Sequence, residues 1–159
     1  SYNSKDGFSV SGSQANQNCA LLAVNCTSNY NGLLTEHAPS GSKPASVNGF
    51  TGHNGLSAIS IGGEYKGSTG TNVAFVHDNT KGWVFGAKFG DSEGDKVNGK
   101  AIVCGGAVID GTNAQLWLDS CNAAGCDREL QSSNSGELLL RRHTGSGYRT
   151  ATTGTITNY

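Results

Sequence analysis

The sequence predicts a single all-β domain over residues 1–159, an antiparallel β-barrel or β-sandwich of about nine to eleven short strands stapled by disulfides. Three observations lead to this class. Glycine or a cluster of turn residues interrupts the chain about every ten residues. The apolar segments between these interruptions have the length of strands, and many alternate apolar with polar residues. No amphipathic stretch is long enough for an ordinary helix.

The first half of the chain contains several short strand candidates. Residues 7–14 alternate apolar with polar residues, and Ala20–Val24 is an unbroken apolar run that fits a buried strand, with a short helix as the competing interpretation. Residues 33–37 and 56–65 are further candidates. Residues 38–55 hold both prolines of the chain and are interpreted as a loop.

A first β-hairpin is predicted around residues 78–82, which connect residues 71–77 to residues 83–89 and end in glycine, as hairpin loops of this length often do. The alternation in the second of these strands predicts a core-facing set: Trp83, Phe85, Ala87 and Phe89.

A second, central hairpin joins residues 101–109 to residues 114–118. The intervening Asp110-Gly111-Thr112-Asn113 tolerates the positive φ angles of tight turns. This pairing places Cys104 opposite Cys121, where a disulfide would staple the base of the hairpin.

The C-terminal part of the chain predicts one helical turn and two last strands. Residues 126–131 contain clustered helix formers without an intervening glycine, which favours the turn. Residues 137–142 and 148–159 are the strand candidates, and the latter is rich in threonine, which suits pleated surfaces.

The charge balance argues against two classes of partner. The chain carries 11 Lys and Arg against 12 Asp and Glu, for a net charge of -1. Binding to nucleic acid or to an anionic membrane needs clustered cations, so neither partner is expected. No apolar run approaches the roughly 20 residues of a membrane-spanning helix, so membrane insertion is not expected either.

Five cysteines and one sequon predict a secreted, extracellular protein, because disulfides persist in oxidising compartments. The chain also starts at Ser1 without Met, as a mature secreted protein would. Two disulfides and one spare thiol are expected, with the pairing left open, among Cys19, Cys26, Cys104, Cys121 and Cys126. Asn25 in Asn25-Cys26-Thr27 is the predicted glycosylation site.

Neither a catalytic centre nor a metal or cofactor site is predicted. The four histidines accompany no recognisable nucleophile motif. Three groups suggest metal ligands, but each lacks the rest of a known metal-binding pattern. These groups are Glu36 with His37, Cys121 with Cys126, and the acidic residues Asp91, Glu93 and Asp95.

A ribonuclease-like hydrolase is one alternative. Glu137, Arg141 and His143 would share a face of a strand, with Arg142 beside them. Arginine would hold a phosphate while glutamate and histidine move the proton.

A carbohydrate-binding, lectin-like module is another alternative, because aromatic residues occur beside asparagine and glycine in the predicted loops. The candidate ligand-binding residues are Tyr30, Asn31, His53, Asn54 and Tyr65.

The cysteine pattern resembles that of small secreted fungal cell-wall proteins and cell-death-inducing elicitors. The resemblance rests on Cys19 and Cys26 near the N-terminus, on Ile102-Val103-Cys104, and on Leu116-Trp117-Leu118 followed by Cys121 and Cys126. It implies a non-enzymatic recognition protein of the cell wall or apoplast that elicits plant defence. Its expected partner is a host or cell-wall surface component, with a glycan as one candidate.

Overall fold

The structure is a computed structural model that describes residues 6–11, 20–31, 47–68, 70–90 and 106–159. Within these ranges the chain forms fifteen β-strands and no helix, so the all-β prediction holds there. All the strand pairs are parallel. The predicted antiparallel barrel or sandwich is therefore wrong.

In chain order the strands are β1 (Phe8–Val10), β2 (Ala20–Val24), β3 (Thr27–Asn29), β4 (Phe50–His53), β5 (Ser57–Ile61), β6 (Glu64–Lys66), β7 (Val73–Val76), β8 (Lys81–Phe85), β9 (Lys88–Phe89), β10 (Ala107–Asp110), β11 (Gln115–Asp119), β12 (Arg128–Ser133), β13 (Glu137–Arg141), β14 (Tyr148–Ala151) and β15 (Thr155–Asn158). Sheet A has the order β1-β4-β7-β10-β12-β14, sheet B the order β15-β13-β11-β8-β5-β2, and sheet C the order β3-β6-β9.

The sheets are the sides of a parallel β-solenoid. The chain passes from sheet A to sheet B, and in the first three circuits on to sheet C, before it returns to sheet A one strand further along. Isolated bridges from Lys88 to Asn122 and from Asn122 to Thr144 continue the third side. Each circuit is one rung, and stacked rungs bury a continuous core that no single rung could bury alone.

The rungs differ in length. The register of sheet B aligns one outward-facing position from each rung: Ala20, Ser57, Lys81, Gln115, Glu137 and Thr155. The steps between these positions are 37, 24, 34, 22 and 18 residues. The two longest steps contain residues 32–46 and 91–105, which lie outside the described residues. Because the steps are unequal, the sequence shows no fixed period.

One residue with a positive φ forms the corner after each of five sheet B strands. These residues occupy the same position in successive rungs, with φ from 49° to 66°: Asn25, Gly62, Gly86, Ser120 and Arg142. A left-handed residue interrupts the alternation of the strand before it. The side chain that follows it can therefore turn inward, as buried Ala87 and Cys121 do.

Inward-facing rows of side chains form the core. Leu116 and Leu118 of β11 pair with Leu138 and Leu140 of β13, and all four are buried. Phe50 lies at the centre of an aromatic cluster, because its ring centroid is 5.7 Å from that of Tyr65 and 5.7 Å from that of Phe75. Since inward and outward positions alternate on sheet B, its other side chains are left at the surface.

Both predicted hairpins are wrong. β7 and β8 lie in different sheets, and so do β10 and β11. The turns themselves are where the sequence predicted them, and Asn79 and Asn113 have positive φ angles. Each turn carries the chain from sheet A to sheet B instead of reversing it, so β10 pairs with β7 and β12.

The predicted core face of residues 83–89 is also wrong. Phe85 is exposed and Trp83 half-buried, whereas Ala87 and Phe89 are buried. The left-handed Gly86 separates the two pairs, so they do not share one alternating face.

Several element assignments need correction. Residues 56–65 and 148–159 were each predicted as one strand, but each range contains parts of two strands that lie in different sheets. The predicted helical turn at 126–131 overlaps β12, and the predicted loop at 38–55 contains β4. The strand at Ala20–Val24 is confirmed, but its predicted burial is wrong: Ala23 is buried, whereas Leu22 and Val24 are exposed. Residues 33–37 lie outside the described residues.

The alternation of sheet B predicts the effect of truncating its leucines. Leu118→Ala should lower the free energy of unfolding by about 2 to 5 kcal/mol, because it empties space in a fully buried row. Leu22→Ala, at an outward side chain that is 62% exposed, should change it by less than about 0.5 kcal/mol. Urea denaturation measures both values, and equal losses would contradict the assigned inward and outward faces.

Candidate functional site

The outward-facing side chains of β2, β5, β8, β11 and β13 form a continuous surface, which we call the ladder face. Its middle row holds one apolar side chain from each of five rungs: Leu22, Ile59, Trp83, Trp117 and Leu139. Trp117 is flanked along β11 by Leu116 and Leu118, and both leucines are fully buried. The pleat therefore turns the row itself away from the core.

A stacked pair of indole rings lies at the centre of the ladder face. Trp83 and Trp117 are the two tryptophans of the chain, and both are half-buried. Their ring centroids are 5.0 Å apart and their planes differ by 3°. Packed carbon atoms touch at about 3.5 to 4.0 Å, so parallel rings at this separation are offset from each other. Part of a ring face is therefore left uncovered.

The N-terminal rungs of the ladder face expose large apolar side chains beside the indole pair. Leu22 is 62% exposed and Val24 52%, while Ile61 and Phe85 are 45% and 37% exposed. Val24, Ile61 and Phe85 are aligned by the register of three neighbouring strands. A contiguous exposed apolar surface of this kind marks an interaction site more often than isolated apolar residues do.

A polar row borders the indole pair on the side of the corner between sheets A and B. Each residue of this row precedes a middle-row residue by two positions in the same strand. The row consists of Lys81, Gln115 and Glu137. The Gln115 Nε2 amide donates to Glu137 Oε2 at 2.8 Å. Next to them lies a cavity of about 450 Å³. Its lining residues are Asn79, Lys81, Asn113, Ala114, Gln115, Ser135, Glu137 and Thr155.

A charged cluster lies on the other side of the indole pair. Asp119 Oδ2 accepts hydrogen bonds from Arg141 Nε, at 2.8 Å, and from Arg141 Nη2. Asp119 Oδ1 accepts from Arg142 Nε at 3.2 Å and from Arg142 Nη2 at 3.0 Å. The hydrogen bonds from Arg141 are the main reason why the pKa of Asp119 is lowered to about 2, against the opposing effect of its burial. This carboxylate is ionised at neutral pH.

A second cavity, of about 420 Å³, lies at the same corner and includes Asp78 and Asp110 in its lining. Asp110 Oδ1 accepts from Ser133 Oγ and Asn134 Nδ2, both at 2.7 Å, and Asp78 Oδ1 accepts from the Thr112 backbone N–H at 2.8 Å. These carboxylates join corner loops of neighbouring rungs, so the ladder face is the better candidate for ligand binding.

Two of the ligand-binding residues predicted from the sequence are buried. The Tyr65 hydroxyl lies 2.7 Å from Ser60 Oγ beneath the surface. Asn31 Nδ2 donates to Ser28 Oγ at 2.8 Å. Both side chains form part of the interior.

The other three predicted ligand-binding residues lie at two different corners. Tyr30 is 42% exposed and follows β3, whereas His53 ends β4 and Asn54 lies in the turn that leads to β5. His53 Nε2 lies 2.9 Å from Thr51 Oγ1. The structure does not assemble these five residues into one site.

The predicted set of Glu137, Arg141 and His143 is not brought together on one face. Glu137 and Arg141 lie on the ladder face, but Arg142 has a φ of 49° and the His143 side chain after it is 1% exposed. This left-handed corner was not recognisable from the sequence.

The structure instead places His143 in a buried ionic cluster. Its Nε2 lies 2.7 Å from Oε1 of fully buried Glu129, which also accepts from Arg149 Nη2 at 2.9 Å and from the Gly147 backbone N–H at 3.0 Å. Burial lowers the pKa of His143, and the hydrogen bond to Glu129 opposes this shift. Glu129 lies at an irregularity in the pairing of β12 with β14, so the cluster fastens the last rungs together.

The predicted pair of disulfides is wrong, because Cys26 and Cys121 are free thiols and only three cysteines are left. The predicted disulfide from Cys104 to Cys121 is wrong for the same reason. Cys121 lies in a core corner, where its thiol donates to the Val84 carbonyl at 3.3 Å. Burial raises the pKa of Cys121 to about 11. Cys19 and Cys104 lie outside the described residues.

The predicted glycosylation site lies at the surface. Asn25 is exposed at a left-handed corner, Thr27 is exposed, and Cys26 between them is a free thiol. A bridged cysteine therefore does not obstruct this sequon, and its modification stays a prediction.

Among the described residues, no group of three or more His, Cys, Asp and Glu side chains is arranged to hold a metal ion. The metal-ligand candidates Glu36, His37, Asp91, Glu93 and Asp95 lie outside those residues. Within the described part of the chain, no helix is long and apolar enough to cross a membrane.

Comparison with known proteins gives no match: no family model, no curated protein and no solved structure corresponds to this chain.

The free thiols predict a selective labelling pattern. In the folded protein at neutral pH, iodoacetamide should modify half-buried Cys26 before Cys121, because Cys121 is buried and its raised pKa keeps it protonated. Both should react after unfolding in urea without reductant. Peptide mass spectrometry measures the modification, and a disulfide-linked peptide containing Cys121 would contradict the structure.

Proposed function

We propose that this protein is a non-enzymatic recognition protein that binds a glycan chain on the ladder face. The observation that carries the proposal is the offset pair of Trp83 and Trp117, half-buried on an outer face with a polar row beside it. Of the functions predicted from the sequence, the carbohydrate-binding alternative has this support. Its residues differ from those that the sequence suggested.

The ladder face supplies the two kinds of contact that a sugar needs. The C–H groups of a sugar ring pack against apolar and aromatic surface, and its hydroxyls need hydrogen-bond partners. The indole pair provides the first kind. Lys81, Gln115 and Glu137 provide donors and acceptors along one side of the pair, next to a cavity that has room for a sugar unit.

The geometry favours an extended chain over a single sugar. Each row of the ladder face has one side chain per rung, and neighbouring parallel strands are about 4.8 Å apart. The rows therefore offer similar contacts repeatedly along the solenoid axis. Solenoids present extended surfaces of this type to their ligands.

The electrostatics of the face support binding without catalysis. A general acid needs a pKa near the working pH. Asp119 has a pKa of about 2 and is engaged by two arginines, and Glu137 accepts the hydrogen bond from Gln115. The Asp119 carboxylate is thus a fixed acceptor, and Glu137 is an acceptor already hydrogen-bonded to the neighbouring rung.

Secretion belongs to the same proposal, because glycan chains and an exposed sequon are both typical of the extracellular space. The free Cys26 and Cys121 add no support for an oxidising compartment. No contact of the described residues favours elicitation of cell death in particular. The proposal is therefore recognition of a wall or surface glycan, for which elicitation would be a biological consequence.

A glycan array followed by titration of the best oligosaccharide tests the proposal. Both tryptophans lie in the site, so indole fluorescence reports directly on binding. Trp83→Ala and Trp117→Ala should each weaken binding at least about tenfold, as expected for a central aromatic contact. Tyr148→Ala, which removes an aromatic side chain that is 68% exposed on sheet A, is the matched control and should change the affinity less than about twofold.

Two results would contradict the proposal. A blank array would reject glycan recognition. Binding that both tryptophan variants retain at full affinity, with their fold intact by circular dichroism, would place the site elsewhere.

A further inference from the structure

Two arginines share one carboxylate at the edge of the ladder face. Asp119 and Arg141 are paired across β11 and β13, and Arg142 follows at the corner. The Asp119 side chain is 4% exposed, whereas those of Arg141 and Arg142 are 49% and 68% exposed. The negative charge thus lies beneath two positive charges, and the solvent side of the cluster is cationic.

The guanidinium groups keep donors for a ligand. A guanidinium has five N–H donors. Arg141 and Arg142 use their Nε and Nη2 atoms on Asp119, and within the described residues neither Nη1 group has a hydrogen-bond partner. Together they offer at least four N–H groups and one unit of uncompensated positive charge.

The cluster is also held in place before any ligand arrives. Ser120 Oγ donates to Asp119 Oδ1 at 2.9 Å, and the ring centroid of Tyr159 lies 5.9 Å from the Arg141 guanidinium carbon. Fixing a long side chain in advance removes part of the entropy cost of binding. Guanidinium groups recognise carboxylates and other oxyanions through paired hydrogen bonds.

The cluster lies next to the proposed glycan site. Asp119 is two residues beyond Trp117 on the same outward side of β11, which places the two Cα atoms about 7 Å apart. One chain lying over the indole pair could therefore reach the arginines with a substituent. The polar row lies on the opposite side of the pair.

We infer that Arg141 and Arg142, anchored by Asp119, bind an oxyanion substituent of the glycan, so that the preferred ligand is an acidic glycan carrying carboxylate or sulfate groups. This inference rests on the proposed function, because it names the class of glycan for the same face. Arg142 is the residue that decides the preference, since it is the more exposed of the two guanidinium groups.

A pair of matched probes tests the inference: an oligosaccharide of hyaluronate and the same oligosaccharide with its carboxylates reduced to alcohols. The wild-type protein should bind the acidic form at least about tenfold more tightly at low salt, and this preference should shrink as salt is raised. Dextran sulfate against neutral dextran forms the second arm. If the protein prefers the charged probe only in the hyaluronate pair, the recognised group is a carboxylate. If it does so only in the dextran pair, the recognised group is a sulfate.

Arg142→Gln should remove most of the preference for the acidic probe, and Arg142→Lys should restore only part of it, because lysine lacks the planar fork. Lys88→Gln removes one positive charge from sheet C and should keep the full preference. Thermal unfolding of each variant checks the fold. If Arg142→Gln proves unstable, Arg141→Gln takes its place.

The outcomes separate this inference from the proposed function. Equal binding of acidic and reduced probes, still lost in Trp117→Ala, would overturn the inference and leave glycan recognition standing. An acidic preference that survives in both Arg142→Gln and Arg141→Gln would also overturn it. Failure of every probe on a broad array would reject the proposed function itself.

Discussion

The backbone ladder between successive rungs is the constraint on which the rest of the molecule depends. Parallel pairing sets each residue beside the equivalent residue of the next rung, and this register is kept only if every rung turns the same corner. One left-handed residue forms this corner after each of five sheet B strands, whether glycine, as at Gly62 and Gly86, or asparagine, serine or arginine. A left-handed conformation costs most residues about 1 to 2 kcal/mol, so the stacked ladder must stabilise Ser120 and Arg142 there.

This register also builds the ladder face. Trp83 and Trp117 are far apart in the sequence, and so are Asp119 and Arg141, yet each pair consists of neighbours on adjacent rungs. The face therefore combines an aromatic pair with fixed charges without any of these groups belonging to a local motif. In the interior the same register stacks leucine on leucine. The interior also holds a buried ionic cluster at Glu129.

Sequence patterns located many strands but not their partners. A period of two residues marks a strand in parallel and antiparallel sheets alike, so the strand at Ser57–Ile61 was recognisable while its pairing with Ala20–Val24 was not. The Asn and Gly turns at residues 78–82 and 110–113 look the same whether they reverse a hairpin or turn a solenoid corner. The unequal rung lengths hid the repeat, and Gly86 hid the fact that Trp83 faces outward.

The measurement that tests this account most directly is a nuclear Overhauser spectrum of the indole protons. The chain has two tryptophans, and Trp83→Phe assigns their signals. With ring centroids 5.0 Å apart, the account predicts direct cross-peaks between the two indole rings, which establish at once that β8 and β11 are adjacent and that the aromatic pair exists. Two indoles without mutual cross-peaks, in a folded protein, would contradict both the solenoid register and the ladder face.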